Sequence, residues 1–260
     1  LILDKSMKMH GLLIDLDGVL YNNQKVIPGA IETMKWVRAH NIPFLFVTNT
    51  TRMNTSSIAR HLNQLGISSH ADEIISPPNA AAVYMRNHTM MSYYLLGNRE
   101  LNTAFTDFQE DDKKPDVVVV GDLGDILTFE RIDFAFRLLM SGADLLALHK
   151  DRFWQTEHGP RMDTGAMVTA LEFSSGKKAT VVGKPERPFF DMAIDQLGVP
   201  ANQVVMIGDS IETDIGGAQD AGIQGLQVRT GNYRYHTEAN PDVIPDMIMD
   251  SIKNLPQLFS

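Results

Sequence analysis

Two aspartates one residue apart close an apolar run, Gly11-Leu12-Leu13-Ile14-Asp15-Leu16-Asp17-Gly18. Two carboxylates buried side by side repel each other and each loses solvation, so such a pair calls for a bound cation or for unequal protonation. Held ionised, Asp15 is a nucleophile able to form an aspartyl-phosphate. Able to hold a proton, Asp17 is the general acid for the leaving oxygen and then the general base for the attacking water. A polar turn at the end of a strand would use the same residues, so the company the pair keeps decides between the readings. Three more apolar runs end on polar residues in a fixed order: 42–47 at Thr48-Asn49, 179–182 at Gly183-Lys184-Pro185, and 204–207 at Gly208-Asp209, with Asp214 five residues on.

Laid side by side in a parallel sheet, these four runs would turn every one of those groups into the crevice beyond the strand ends, where open α/β sheets bind ligands. The set suits a phosphate with a divalent cation. Mg²⁺ takes a few carboxylates together with waters and phosphate oxygens. Asp15 and Asp209 supply carboxylates, and the backbone carbonyl of Asp17 a third oxygen. Lys184 offsets negative charge, Thr48 donates a hydroxyl to a phosphate oxygen, and backbone N–H groups after Asp15 and around Asn49 hold the remaining oxygens. Phosphoryl transfer asks mainly for such positioning and neutralisation.

The elements that must carry these groups follow from periodicity. Near-continuous apolar runs read as strands covered on both faces, with a fifth at 225–228 followed by Arg229-Thr230-Gly231. Helices fill the gaps. One opens at Pro28 with Ile31, Met34 and Val37, and one capped by Asn54 or Thr55 runs through Ile58, Leu62 and Leu65 to Gly66. One opens at Pro188 and stops at Gly198, and one covers 211–221 and stops at Gly222. Alternation of this kind predicts an α/β fold with a Rossmann-like parallel-sheet core.

The middle of the chain carries its own set: helices at 78–88, 128–142 and 164–174, and strands at 93–96, 117–120 and 145–148. That is enough for an inserted α/β cap domain over 77–177, the core comprising 6–76 and 178–260. Its strand 117–120 also ends on Gly-Asp, but the next acid after Asp122 is three residues on rather than five, so Asp122 reads as a turn residue. His149, Lys150, Arg152 and Arg161 are the cap residues able to reach substrate, His149 first because it follows a strand end. Phe153, Trp154 and Trp36 read as packing residues.

Composition narrows the function classes. The chain has 260 residues, no cysteine and a net charge of −9. A disulfide framework, thiolate catalysis and a cysteine metal site are excluded, and a general basic surface for nucleic acid is disfavoured. The first ten residues are too short and too polar for a secretory signal, and no apolar stretch reaches the roughly 20 residues of a membrane span. These features predict a cytoplasmic protein acting on a small phosphorylated substrate.

The motifs resemble those of the haloacid dehalogenase (HAD) superfamily, in particular its C2-capped, NagD-like subfamily IIA phosphatases. Asp15-Leu16-Asp17-Gly18-Val19-Leu20 is similar to the first motif, Val47-Thr48-Asn49 to the second, Gly183-Lys184-Pro185 to the third and Gly208-Asp209-Ser210-Ile211-Glu212-Thr213-Asp214 to the fourth. The stretch Asp163-Thr164-Gly165-Ala166, running into Leu171-Glu172, resembles the cap of the NagD and pyridoxal phosphate phosphatase branch, and Ala147-Leu148-His149-Lys150 and 178–186 resemble the phospholysine phosphohistidine inorganic pyrophosphate phosphatase group within it. His149 departs from NagD-like sequences, which carry Asn there. The resemblance implies Mg²⁺ dependence, direct metal ligation by Asp209, and an Asp214 that orients a metal water or Lys184 unless it ligates directly. It also implies pairing of two copies through the cap. Dehalogenation needs neither Asp17 nor Asp209, and a receiver domain is about half this length. A phosphotransferase or mutase, and a silent binding protein on the same fold, are the remaining alternatives.

Overall fold

The computed structural model describes residues 9–156, 159–233 and 242–259, with backbone alone at 125 and 154–156. The chain divides into two compact units, one of Leu1–Thr48, Thr55–Ile75 and Lys184–Ser260, the other of Asn49–Asn54 and Ser76–Gly183.

The first unit is built on a six-stranded sheet. Its order is Met247–Met249, Gln224–Val228, Val204–Gly208, Gly11–Asp15, Phe44–Val47 and Ile74–Ile75, parallel throughout. The central strands are apolar on both faces because both are covered: Leu12, Leu13, Ile14 and Val204 to Ile207 are fully buried. Register sets the site. Ile14 lies opposite Ile207 on one side and Phe46 on the other, and Asp15 opposite Val47. Asp15, Thr48 and Asp209 therefore emerge together at one end of the sheet.

Helix Thr55–Gln64 buries Ile58, Ala59 and Leu62. Helix Arg187–Leu197 stops at Gly198, whose φ of 69° lets its N–H return to the Ile194 carbonyl. The first helix begins at Ala30 rather than at Pro28, because Gly29 takes the left-handed conformation in front of it. The segment read as one helix over 211–221 is a π-helical turn, Ile211–Gly216, continued by a short α-helix, Gly217–Asp220. Trp36 is half-buried, stacked on His40 with ring centroids 4.1 Å apart, and is not a core residue. Strands Ile74–Ile75 and Met247–Met249 and the hairpin Tyr21–Asn22 with Lys25–Val26 are too short to show a period in the sequence.

The second unit holds a five-stranded parallel sheet ordered Thr180–Val181, Asp144–Ala147, Val117–Val120, Ser92–Leu96 and Gln109–Glu110. Helices Pro77–Asn87, Phe129–Met140 and Thr164–Ser175 accompany it. Val118, Val120, Leu138, Leu139, Val168 and Leu171 belong to one apolar core.

One expectation fails here. The strand before Lys184 does not join the six-stranded sheet: Thr180–Val181 pairs with Leu146–Ala147, and the Val182 N–H extends the ladder to the Ala147 carbonyl at 3.0 Å. Residues 178–183 thus lie with the second sheet, and Lys184 leaves it on the loop immediately after. Among the described residues a further ribbon pairs Phe153–Thr156 with Gly159–Met162, and Phe153 is 51% exposed there rather than packed. The side chain of Trp154 lies outside the described residues. No helix of the described residues is long and apolar enough to cross a membrane.

Candidate active site

Four charged side chains meet in the first unit. Lys184 is 3% exposed and donates from Nζ to Asp15 Oδ1 and to Asp214 Oδ1, both at 2.6 Å. Asp214 is 1% exposed, and its second oxygen accepts the Ser210 N–H at 3.1 Å. Each residue owes its place to local structure. The π-helical turn swings Asp214 back under the strand that ends in Gly208. A Cβ at position 208 would stand 2.2 Å from Asp214 Cβ, so only glycine admits this approach. Asp209 comes directly after that strand, is buried, and accepts the Asn232 N–H on Oδ2 at 2.6 Å.

One carboxylate oxygen from each of Asp15, Asp209 and Asp214 lies within 4.8 Å of the other two. One ammonium faces three acids, so buried negative charge is left over. Burial lifts Asp15 to about 7 despite Lys184, with Asp214 and Asp17 adding to the rise. Burial and the charges of Asp15 and Asp214 push Asp209 well above the ordinary carboxylate range, against the Asn232 N–H. Burial alone would lower Lys184, but its two carboxylates outweigh that and hold it charged. A divalent cation supplies the missing positive charge, and a donor set made only of hard oxygens fits it. Asp214 already has both oxygens hydrogen-bonded, whereas Asp15 and Asp209 each keep one free of hydrogen bonds among the described residues. Those two are the carboxylates available for direct ligation.

Asp17 stands apart from this cluster, its side chain exposed beyond the sheet end. The atoms crowded around its carboxyl nevertheless raise it above an ordinary aspartate, while N–H groups of Asn23 and Gly18 and the charge of His61 pull the other way. Thr48 is buried one residue past Val47, and its N–H bonds the Ile75 carbonyl at 3.1 Å.

The other sequence-predicted residues belong to the second unit. Asn49 donates to Asp151 Oδ2 at 3.2 Å. His149 is 4% exposed and wedged among acids, with Nδ1 3.3 Å from Asp151 Oδ2 and Nε2 3.6 Å from Asp163 Oδ1 and 3.3 Å from Thr51 Oγ1. Burial opposes protonation, but Asp151, Asp163 and Asp122 together raise its pKa. Each ring nitrogen faces its own acid, which is the physical cause of that rise. Lys150 pairs with Glu172 at 2.7 Å, and Arg152 and Arg161 are exposed. Asp122 is a turn residue, its Oδ1 accepting the Gly124 N–H at 2.7 Å. A cavity of 320 Å³ lined by Tyr84, Met90, Leu145, Lys177 and Lys178 contains none of the sequence-predicted site residues.

Sequence reasoning missed Gln227 and Asn232, which bond Asp209, and Thr230, which ties the adjoining loop to the Gly18 carbonyl. Their signal was the fifth strand end, at Arg229-Thr230-Gly231, which lies on the same sheet edge as the others.

Known proteins resemble this chain over most of its length. A family model described as haloacid dehalogenase-like hydrolase matches residues 12–110, and a second, HAD-hydrolase-like model matches 181–255. Human haloacid dehalogenase-like hydrolase domain-containing protein 2 is 36% identical over 94% of this chain and 93% of its own length. Human phospholysine phosphohistidine inorganic pyrophosphate phosphatase is 33% identical over 96% and 94%. Among solved structures, 4-nitrophenylphosphatase from Thermotoga maritima superposes with a TM-score of 0.87 at 28% identity, covering 96% of this chain and 97% of that one. The p-nitrophenyl phosphatase from Archaeoglobus fulgidus does so with a TM-score of 0.89 at 26% identity, covering 96% and 99%.

Proposed function

Because the chain belongs to the haloacid dehalogenase-like hydrolases and is a phosphatase of that family, we propose that it hydrolyses a small phosphorylated metabolite through an aspartyl-phosphate on Asp15, with Mg²⁺. The observation that carries the reading is the buried Lys184 between Asp15 and Asp214, beside a third acid, Asp209.

The groups present define the chemistry. An Asp15 carboxylate oxygen attacks phosphorus, a P–O bond forms, and the bond to the leaving oxygen breaks. Asp17 gives its proton to that oxygen and leaves as a carboxylate. It then takes a proton from water, whose oxygen attacks the same phosphorus; phosphate departs and Asp15 is restored. The raised carboxyl of Asp17 serves the first role, and its separation from Lys184 and the acid cluster leaves it free for the second. Lys184 screens Asp15 from the anionic substrate, and Asp214 holds Lys184 in place. Thr48 donates to a phosphoryl oxygen. A divalent cation held by Asp15 and Asp209, with the Asp17 carbonyl, would supply charge neutralisation at the phosphoryl oxygens. The human pyrophosphate phosphatase and the two nitrophenyl phosphatases named above are phosphatases by name, which supports the same reading.

The test is p-nitrophenyl phosphate hydrolysis by the purified chain in Mg²⁺ and in EDTA, beside Asp15→Asn. Turnover that needs Mg²⁺ and disappears in the variant supports the mechanism. Turnover retained by Asp15→Asn overturns it, and no metal-dependent turnover at any pH from 5 to 9 or so returns the silent binding protein on this fold.

A further inference from the structure

Asp209 is held by a loop for which the mechanism above has no use. Thr230 Oγ1 donates to the Gly18 carbonyl at 2.5 Å, the Asn232 N–H to Asp209 Oδ2 at 2.6 Å, and Gln227 Nε2 to the Asp209 carbonyl at 3.1 Å. Gly18 and Gly231 both have positive φ, 82° and 62°. A Cβ on either would stand 2.0 or 2.1 Å from Asp209 Oδ2, and one on Gly231 would also stand 2.4 Å from Gly18 Cα. Two backbone segments therefore close on a single carboxylate oxygen, in a way only glycine permits at both positions.

We propose that the loop of residues 230–232 is a positioning element for the divalent cation: it presents Asp209 through Oδ1 alone, and so sets both the affinity for the ion and the preference for Mg²⁺ over Ca²⁺. The inference rests on the cation reading above. Its physical content is twofold. Asp15 and Asp214 repel Asp209, and a carboxylate free to rotate would turn away from them; the Asn232 N–H holds it aimed before the ion arrives, which removes an ordering cost from binding. With Oδ2 committed, Asp209 binds through one oxygen. That suits the six short bonds of Mg²⁺ and disfavours Ca²⁺, which gathers six to eight oxygens and readily takes both from one carboxylate. Thr230 matters because its hydroxyl is the tie that anchors this loop to the backbone of the first motif.

The experiment uses Mn²⁺ as the probe, titrated by electron paramagnetic resonance into the whole protein, with Mg²⁺ and Ca²⁺ measured by competition. Thr230→Val keeps the shape and removes the donor; Thr230→Ser keeps the donor. Thr230→Val is expected to weaken Mn²⁺ and Mg²⁺ binding about fivefold to twentyfold, the scale of one hydrogen bond whose loss leaves a carbonyl unpaired, and Ca²⁺ binding less, narrowing the Mg²⁺/Ca²⁺ ratio. Thr230→Ser is expected within about twofold of the parent on the same argument. Should the valine variant fold poorly, Thr230→Ala gives the same reading. Unchanged Mn²⁺ affinity in a folded Thr230→Val or Thr230→Ala, or a Thr230→Ser as weak as they are, overturns the inference. Asp209→Asn separates the two levels. If it binds Mn²⁺ as the parent does, the cation reading falls and this inference with it; if it loses Mn²⁺ while Thr230→Val does not, only this inference falls.

Discussion

Replacing Lys184 by methionine removes a charge without removing bulk, and it strands two carboxylates that the ammonium now pairs with. At 2.6 Å from each of them, the ammonium gains about 6 kcal/mol per contact at an effective dielectric of about 20. Most of that is consumed by taking three ions out of water. The surviving part is best judged from buried pairs broken by removing one partner, which cost about 3–5 kcal/mol because the remaining charge is stranded. Lys184→Met should therefore lower stability in EDTA by about that much, a drop of roughly 6–15 °C in the unfolding midpoint. The charges predict a second, less obvious result. With the ammonium gone, Asp15, Asp209 and Asp214 form a more negative cluster, so a divalent cation should bind it more tightly even as turnover is lost. Thermal unfolding at pH 7 with and without millimolar Mg²⁺ reads both effects, and Mg²⁺ should raise the variant's midpoint by more degrees than the parent's. The double variant Lys184→Met/Asp15→Asn, which removes one stranded acid as well, should recover part of the loss. A Lys184→Met protein within about 1 kcal/mol of the parent, or one that Mg²⁺ stabilises less than the parent, would refute the reasoning.

Three other perturbations test separate parts of the structure. Glu73 accepts both Arg38 Nη atoms at 2.7 Å and the His70 N–H at 2.9 Å; burial would raise its carboxyl, but Arg38 and that N–H hold it below the usual 4.5. A depressed folded pKa gives stability that is present above 4.5 and lost as pH falls through the folded value, so Glu73→Gln should cost about 1 kcal/mol at pH 7 and less at pH 3; chemical denaturation at the two pH values checks it. His149 runs the opposite way: its folded pKa lies above 6.5 because Asp151 and Asp163 outweigh burial. Its contribution is complete below 6.5 and fades as pH rises through the folded value, so His149→Gln should be destabilised by about 1–2 kcal/mol at pH 5.5 and by less at pH 9, as melting curves would show. Gly208→Ala places a methyl 2.2 Å from Asp214 Cβ and should cost about 1–3 kcal/mol with about a 100-fold loss of p-nitrophenyl phosphate turnover from displaced Asp214 and Lys184.

The strand ends were legible because a buried parallel strand is a continuous apolar run and its polar stop is abrupt. Leu12 to Asp15 and Val204 to Asp209 show this, and helix stops were legible where Gly198 or Gly66 adopts positive φ. Strands of two or three residues, such as Ile74–Ile75 and Met247–Met249, were not, because a period cannot be seen in so few positions. The run before Lys184 was legible as a strand but not as a member of a particular sheet. Pairing is a long-range choice, and Thr180–Val181 carries nothing that distinguishes Leu146–Ala147 from a core strand as its neighbour. His149 was visible as a residue after a strand end, yet its burial among Asp151, Asp163 and Thr51 depends on residues scattered over more than a hundred positions.

The sequence by itself determined which chemistry this protein has the groups for: two acids one residue apart, a lysine and a Gly-Asp pair at strand ends are local facts about residue type and spacing. Only the tertiary structure decided how those charges are shared. It put one ammonium between Asp15 and Asp214, committed both oxygens of Asp214, left one on Asp15 and one on Asp209 without a hydrogen bond among the described residues, and moved Asp17 outside the cluster. Electrostatic roles depend on distances of a few ångströms between residues up to about two hundred positions apart, and no local pattern encodes them.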